Sequence, residues 1–128
     1  MMSLLLPALL GACSDQKVQV YNTAPAVSIV SPVDGAGFGP GDLVEFYGVA
    51  DDSQDPATSL QISWESSIDG QLGTDPPDSE GTVYLATSVL SGGSHTITLT
   101  ATDANGQQGT ATINVFIGER LYLPGIAR

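Results

Sequence analysis

The sequence predicts an all-β fold, an antiparallel β-sandwich of about seven strands built from residues 24–118. From residue 24 onward, short runs of alternating apolar and polar residues are separated by Gly, Pro, Asn and Asp, which is the pattern of antiparallel strands and tight turns. Outside residues 1–12, no stretch of ten residues has the 3.6-residue apolar period of a helix. With 41% hydrophobic and 13% charged residues, the 128-residue chain has the composition of one folded domain.

The strands are predicted in order from these runs and from the turn residues between them. They comprise residues 26–31, 43–50, 60–65, 82–90, 95–103 and 109–117. Proline presets φ and glycine accepts positive φ, so segments 32–35 and 40–42 are predicted as turns. The dipeptides Asp69-Gly70 and Asn105-Gly106 indicate two tight hairpin turns. The last two strands therefore form the clearest hairpin in the chain.

The alternation also predicts which side chains face the core. In the second of these strands, Val44 and Phe46 face inward, whereas Glu45 and Tyr47 face outward. The central core residues are predicted to be Ile62, Trp64, Ile97, Leu99, Ile113 and Val115. A domain of about 95 residues buries a little over 60% of the surface of its unfolded chain, which is enough to fold without disulfides.

The charge of the chain excludes one class of partner. The formal net charge is −11, from 14 acidic and 3 basic residues. Because Lys17, Arg120 and Arg128 are the only Lys and Arg residues, the chain cannot assemble a patch that neutralises phosphates. A nucleic acid is therefore excluded as a partner, and so is attachment to an anionic bilayer through charge. An acidic surface favours solubility and cation binding instead.

The only cysteine, Cys13, follows a short apolar run and two small residues. This run is far shorter than the roughly 20 residues of a membrane span and fits the apolar part of a secretory signal. The tetrapeptide Leu10-Gly11-Ala12-Cys13 resembles the lipobox of bacterial lipoproteins. The resemblance implies that residues 1–12 are a signal peptide, that Cys13 is lipidated and that residues 13–23 are a tether. Segment 1–3 departs from the pattern because it has no Lys or Arg, and the competing interpretation is an apolar N terminus with an inert thiol.

The same resemblance implies a location at a bacterial cell envelope. Ser14, directly after the cysteine, is compatible with transfer to the outer membrane in Gram-negative members of the family. Two or more acyl chains hold a protein firmly, because each buried methylene contributes about 0.8 kcal/mol. The membrane is thus the expected partner of the N terminus, on its periplasmic or surface face.

A second resemblance covers most of the chain after the tether. Segments 26–32, 64–70 and 94–103 resemble PKD-type and related cadherin-like bacterial Ig modules. The last segment, with its Gly-x-His-Thr-like start and Thr-Asp end, is the most specific. The PKD motif Trp-Asp-Phe-Gly-Asp-Gly is absent, and only Trp64 and Asp69-Gly70 are similar to it. The resemblance implies an Ig-like sandwich that acts as an extracellular spacer or ligand-binding accessory and not as an enzyme.

The acidic loop after the second predicted strand is the strongest chemical feature. Asp51, Asp52 and Asp55 lie close together in it, and Asp103 or Asn105 is a further candidate ligand. Calcium takes six to eight oxygen ligands and mixes carboxylates, carbonyls and water. Cadherin-like relatives bind calcium through Asp-rich loops, which supports a calcium site with Asp51, Asp52, Asp55 and Asp103 as candidate ligands, although the spacing matches no fixed-spacing loop such as the EF-hand. The competing interpretation is a solvated acidic turn whose aspartates cap backbone amides.

The remaining candidate residues are interpreted as structural or as contact residues. His95, the sole histidine, is interpreted as structural, because a zinc site needs several ligands and acid–base catalysis needs a cleft. Tyr47 and Phe116, which the alternation places outward, are candidates for an apolar or sugar-stacking contact. The apolar tail 119–128 is expected to add an edge strand, to dock on a partner or to begin a further domain.

The predicted function is that of a lipid-anchored cell-envelope module with a non-catalytic binding, adhesion or spacer role. The sequence contains no nucleophile elbow, P-loop or metalloprotease motif, so no enzymatic activity is expected. The expected partners are the membrane, through the lipid, and a protein or glycan at the cell surface. Two alternatives stay open: a carbohydrate-binding accessory module and a fragment of a larger multidomain surface protein.

Overall fold

The computed structural model describes residues 22–118, which form a sandwich of two β-sheets. The strands are β1 (Ala26–Ser31), β2 (Ala36–Phe38), β3 (Val44–Asp51), β4 (Gln61–Ser66), β5 (Gly70–Gly73), β6 (Thr82–Thr87), β7 (Gly93–Thr102) and β8 (Gln108–Ile117). One sheet has the order β1-β3-β6 and the other the order β2-β8-β7-β4-β5. The helical content of this region is a single 3-10 turn, Ala57–Ser59. This architecture confirms the predicted all-β sandwich.

Two short strands bring the number of described strands to eight. β2 lies between the two predicted turns 32–35 and 40–42 and pairs with β8 in parallel, with Ala36 opposite Val115. β5 follows the predicted Asp69-Gly70 turn and pairs antiparallel with the end of β4. The two strands have 3 and 4 residues, which is too few to show an alternation. Pairing with the neighbouring strand decides their conformation.

β6 ends at Thr87, earlier than the alternation predicted. The Thr87 hydroxyl oxygen accepts a hydrogen bond from the Val89 N–H at 3.3 Å, so the chain turns at this point. Leu90 nevertheless packs into the core and is buried. The predicted end of this strand at residue 90 is therefore wrong, and Leu90 reaches the core from the loop after β6.

The core lies between the two sheets and consists of the side chains that the alternation placed inward. Val44 and Phe46 are buried, and Glu45 and Tyr47 are exposed. All six predicted central residues are buried: Ile62, Trp64, Ile97, Leu99, Ile113 and Val115. The rings of Phe46 and Trp64, from opposite sheets, lie 5.6 Å apart between centroids. Burial of each such large side chain stabilises the fold by about 1.5–3 kcal/mol.

We name one end of the sandwich the N-terminal pole, because the described part of the chain begins there. β1 begins there beside the end of β3, with Ala26 opposite Asp51. The Asn22 side-chain amide donates a 2.8 Å hydrogen bond to Asp103, which directly follows β7. The start of β1 and the ends of β3 and β7 therefore lie at the same pole.

The opposite end, here named the C-terminal pole, is where β8 ends. Ile117 of β8 lies opposite Gly93 at the start of β7, and Val44 at the start of β3 lies opposite Thr87. The described chain therefore enters the sandwich at one pole and leaves it at the other. Within residues 22–118, no helix is long and apolar enough to cross a membrane. Cys13 and the predicted tail lie outside the described residues.

Candidate functional site

Three carboxylates meet at the N-terminal pole, and we refer to Asp52, Asp55 and Asp103 as the aspartate trio. Asp52 and Asp55 belong to the loop after β3, and Asp103 belongs to the turn after β7. One carboxylate oxygen from each residue lies within 4.8 Å of the others. β3 and β7 belong to different sheets, and the packing of these sheets brings the two loops together although they are about fifty positions apart in the chain. The geometry is that of a group able to hold one cation between its carboxylates.

The first two members of the trio organise their own loop. Asp52 Oδ1 accepts hydrogen bonds from the backbone N–H groups of Gln54 and Asp55, at 2.8 and 3.0 Å. Asp52 Oδ2 is buried and has no hydrogen-bond partner among the described residues. Asp55 Oδ2 accepts a hydrogen bond from the Ala104 N–H at 3.2 Å, which links this loop to the turn after β7.

Asp103 is the most enclosed member of the trio, with only 5% of its surface exposed. Its Oδ1 accepts hydrogen bonds from the N–H groups of Asn105 and Gln107, both at 2.9 Å, and its Oδ2 accepts one from Asn22. Burial raises the pKa of Asp103, but the hydrogen bonds from Asn22, Gln107 and Asn105 outweigh it and hold the pKa below its usual value. Asp103 is therefore a carboxylate at neutral pH.

The structure brings together three of the four aspartates that the sequence nominated as calcium ligands. Asp51 lies outside the trio, because it is exposed at the end of β3, where it pairs with Ala26. Its side chain points to the opposite side of the strand from the buried Ala50. The sequence spacing shows the acidic loop but not which of its members face Asp103.

The segment before β1 is hydrogen-bonded to the same pole. The Thr23 N–H donates to the Gln54 side-chain oxygen at 3.1 Å, and the Thr23 and Ser53 hydroxyls lie 2.9 Å apart. Asn22 is bonded to Asp103 as described above. The end of the predicted tether is thus joined to both loops that carry the trio.

Tyr47 and Phe116 do not form a common surface. Tyr47 is on the outer face of the three-stranded sheet, where its ring lies 4.9 Å from that of Tyr84 between centroids. Phe116 is on β8 of the other sheet, and its ring lies against Gly118. Sequence reasoning missed Tyr84, which is exposed and lies directly opposite Tyr47 in the register of β3 and β6. The alternation of residues along β6 indicates that Tyr84 faces outward, but only the register of β3 and β6 shows that it lies beside Tyr47.

The pair of tyrosines has a carboxylate neighbour. The Tyr84 hydroxyl donates a 3.3 Å hydrogen bond to Glu45 Oε2. Burial and the charge of Glu45 raise the pKa of Tyr84, so its hydroxyl stays protonated and remains a donor. The outer face of the three-stranded sheet therefore presents two half-exposed rings beside one carboxylate.

His95 is buried near the C-terminal pole and is fully hydrogen-bonded. Its Nε2–H donates to the Ser91 carbonyl at 2.6 Å, so its Nδ1 accepts from the Ser66 hydroxyl, also at 2.6 Å. Ser66 Oγ in turn accepts from the N–H groups of Ile68 and Asp69. These contacts agree with the structural interpretation of His95, since both ring nitrogens are occupied by the fold.

Comparisons with known proteins give likeness at the level of the fold. No protein-family model and no curated protein matches the chain. The chain is similar to a solved structure of fibronectin(III)-like modules of CbhA from Clostridium thermocellum, with 18% identity and a TM-score of 0.59, covering 74% of this chain and 98% of that one. It is also similar to the CARDB domain of a Pyrococcus furiosus protein, solved in complex with di-metal ions, with 13% identity and a TM-score of 0.57, covering 80% of this chain and 100% of that one.

A third structure, the PKD domain of human KIAA0319, has 16% identity and a TM-score of 0.46, covering 80% of this chain and 90% of that one. The first two matches span nearly the full length of the compared domains. Together with the two sheets described above, they show what kind of domain residues 22–118 form. It is an Ig-like β-sandwich.

Proposed function

We propose that the chain is a lipid-anchored, non-catalytic Ig-like module of a bacterial cell envelope, held at the outer membrane by lipid on Cys13. The observation that carries this proposal is the arrangement of the poles. The chain enters at the N-terminal pole beside Asp103 and leaves after Ile117 at the other. A domain of this kind extends away from an N-terminal anchor and presents its faces and its far pole to a partner. The fold-level likeness to Ig-like modules supports a binding or spacer role.

The anchor is tested by mass spectrometry of the chain isolated from bacterial membranes. We expect the mature protein to begin at Cys13 and to carry the mass of acyl chains on that residue. Cys13→Ser should abolish acylation and release the protein from the membrane fraction, whereas Ser14→Ala, the matched control, should keep the acyl mass. Recovery of Met1 with a free thiol from membranes would contradict the proposal.

A calcium-binding role is a second candidate function, and the geometry of the aspartate trio favours it. Three carboxylates converge within 4.8 Å, and Asp52 Oδ2 is buried with no partner among the described residues. An unpartnered buried carboxylate oxygen is costly unless a cation or water satisfies it. Bound calcium would link the loop after β3 to the turn after β7, at the pole where the tether arrives.

The calcium role is tested by isothermal titration and by thermal unfolding with and without the ion. A ligand present at about 100 times its Kd stabilises the folded state by about 2.7 kcal/mol. We therefore expect calcium to raise the Tm, and Asp52→Asn to remove this rise. Asp51→Asn is the matched control, because Asp51 lies one residue away but outside the trio, and it should keep the rise. If calcium releases no heat and leaves the Tm unchanged, the trio is a solvated acidic turn.

A carbohydrate-binding accessory role is the third candidate, supported by the ring of Tyr47 beside that of Tyr84. Aromatic faces of this kind offer an apolar surface with a polar edge. A glycan array probed with the chain and with Tyr47→Ala and Phe116→Ala tests it. Because the two residues lie on different sheets, only one of the two variants should lose binding. The alternative of a larger surface protein is tested by whether the coding sequence continues past Arg128.

A further inference from the structure

A cleft of about 490 Å³ lies where β5 separates from β4 in the five-stranded sheet. We name it the β4–β5 cleft, and its polar and outer walls are formed by Gln61, Ser63, Gln71, Thr74, Pro76 and Thr102. β5 pairs with β4 only along the half of β4 nearer the C-terminal pole, where the register also shifts. Beyond this point the chain diverges from β4, which opens the cleft. Its volume lies within the range of about 300–1,000 Å³ that is typical of small-molecule sites.

Ile62 offers a backbone donor and a backbone acceptor toward this cleft. Ser67 donates its N–H to the Thr96 carbonyl of β7 at 3.0 Å. Backbone groups alternate in direction along a strand, so the odd-numbered residues of β4 bond to β7, and the N–H and C=O of Ile62 point to the β5 side. The last residue of β5, Gly73, lies opposite Trp64, two residues short of Ile62. Among the described residues, the hydrogen bonds of turns and loops include none to Ile62. Because backbone N–H and C=O groups need partners, these two groups are available to a ligand.

The walls of the cleft are uncharged, although the domain is strongly acidic. All Lys and Arg residues lie outside 22–118, and all acidic residues except Asp15 and Glu119 lie within it. The polar wall groups are amides and hydroxyls, which both donate and accept hydrogen bonds, and Gln71 already donates to Ser63 Oγ at 3.3 Å. The nearest carboxylate along β4, Glu65, lies opposite Gln71 at one rim. The negative electrostatic field of the domain repels anions, so the cleft favours a neutral ligand that forms hydrogen bonds.

The ends of the cleft favour a compact ligand over an extended chain. Toward the C-terminal pole, the pairing of Gly73 with Trp64 closes the cleft. Toward the N-terminal pole, the cleft reaches Leu60, whose N–H is bonded to the Ala57 carbonyl at 3.0 Å in the 3-10 turn before β4. A peptide strand paired with β4 has to extend along β4 in both directions, and the β4–β5 pairing blocks the way toward the C-terminal pole. A compact ligand of one ring-sized unit needs no such passage.

We propose that the β4–β5 cleft binds one unit of a neutral sugar. A hydroxyl or acetamido oxygen accepts the Ile62 N–H, and a second hydroxyl donates to the Ile62 carbonyl. The amide of Gln71 and the hydroxyl of Thr102 bond the remaining hydroxyls, and the Pro76 ring contacts the apolar C–H groups of the sugar. This inference rests on the non-catalytic binding role proposed above, and it depends neither on lipid at Cys13 nor on calcium.

The test is a titration of the ¹⁵N-labelled full-length chain in detergent, followed by amide chemical shifts. The probes are N-acetylglucosamine, glucose and glucuronic acid. We expect the two neutral sugars to shift the Ile62 amide resonance in a saturable way, and glucuronic acid, which has the ring of glucose and a negative charge, to leave it unmoved. The mass of the same sample reports acylation of Cys13, so a failure of the anchor is distinguished from a failure of the cleft.

Two variants connect the binding to the cleft. Gln71→Ala removes one hydrogen-bonding group from an exposed wall and should weaken binding by about five- to tenfold. Gln107→Ala removes an equally exposed glutamine from the turn after β7 and should leave the affinity unchanged. The Tm of both variants should equal that of the unaltered chain, which shows that the loss is local.

Three results would overturn the proposal. The first is that no neutral sugar shifts the Ile62 amide. The second is that Tyr47→Ala abolishes sugar binding while Gln71→Ala preserves it, which would place the sugar on the outer face of the other sheet. The third is that an uncharged tetrapeptide shifts Ile62 and the sugars do not.

Discussion

At the scale of single residues, the buried polar groups are those whose hydrogen bonds define local structure. Asp103 accepts hydrogen bonds from two backbone N–H groups and from Asn22, so it fixes the turn after β7 and the incoming chain together. His95 and Ser66 do the same at the other pole, where Ser66 caps the turn between β4 and β5. The exposed Asp69 lies beside this second group, and its hydrogen bonds from Ser91 lower its pKa and outweigh the opposing effect of burial.

The lowered pKa of Asp103 gives a prediction on pH. The ordinary value is 3.8 and the folded value is lower, so the carboxylate stabilises the folded state above pH 3.8, and this contribution is lost as the pH falls through the folded pKa. Asp103→Asn should therefore lower the Tm at neutral pH, and the difference from the unaltered chain should shrink as the pH decreases below 3.8. Thermal unfolding followed by circular dichroism at a series of pH values measures it.

The control for this prediction is Asp51→Asn, which removes a carboxylate of the same loop region that makes no hydrogen bond to the turn after β7. Its Tm should follow that of the unaltered chain across the series. If the Tm difference between Asp103→Asn and the unaltered chain does not change with pH, the charge of the carboxylate is not what stabilises the turn.

At the scale of elements, the close contact of β8 with the chain before β1 holds the two sheets together at the N-terminal pole. Gly109, the second residue of β8, leaves no room for a side chain, because an added Cβ would meet the Pro25 carbonyl oxygen and lie 3.2 Å from Val27 Cγ2. Gly92, before β7, is different, since the nearest atom to an added Cβ is the Ile117 carbonyl oxygen at 3.7 Å. The first glycine is required by packing and the second is not.

Gly109→Ala should therefore destabilise the domain by about 2 kcal/mol, because the backbone of Pro25 has to move to admit the methyl group. Gly92→Ala should change the free energy of unfolding by much less. Urea unfolding, followed by the fluorescence of the buried Trp64, measures both. Equal stabilities of the two variants would mean that the chain before β1 is not held against β8.

At the scale of the whole molecule, the charged side chains are almost all acidic. The net charge is −11, and the described residues 22–118 contain no Lys or Arg. Like charges repel one another across a folded domain, and salt screens this repulsion. The fold therefore depends on its apolar core and hydrogen bonds, with no ion pair between Lys or Arg and an acidic residue in this region.

We expect the Tm to rise by a few degrees when NaCl is raised from about 10 mM to about 0.5 M, since the Debye length shortens from about 30 Å to less than 10 Å. The measurement is made in EDTA so that trace calcium does not contribute, and KCl should act like NaCl. A Tm that falls with salt would show that attractive ion pairs outweigh the repulsion.

The fold and the core were predictable because they depend on a local pattern. The alternation in β3, β4, β7 and β8 specified which residues are buried, from Val44 to Val115, since side chains along a strand alternate between two faces. The short strands β2 and β5 were not predictable, because 3 or 4 residues carry no such pattern. The candidate site was predictable only in part, because Asp52, Asp55 and Asp51 are equivalent by spacing but face different directions.

The sequence by itself determined the class of fold, the core and the acidic character, because these follow from residue type and period along the chain. Only the tertiary structure decided which distant residues meet: Asp103 with Asp52, Tyr84 with Tyr47, and Ile62 with the walls of its cleft. The physical reason is that strand register and loop packing, which set these contacts, depend on pairing between segments far apart in the chain.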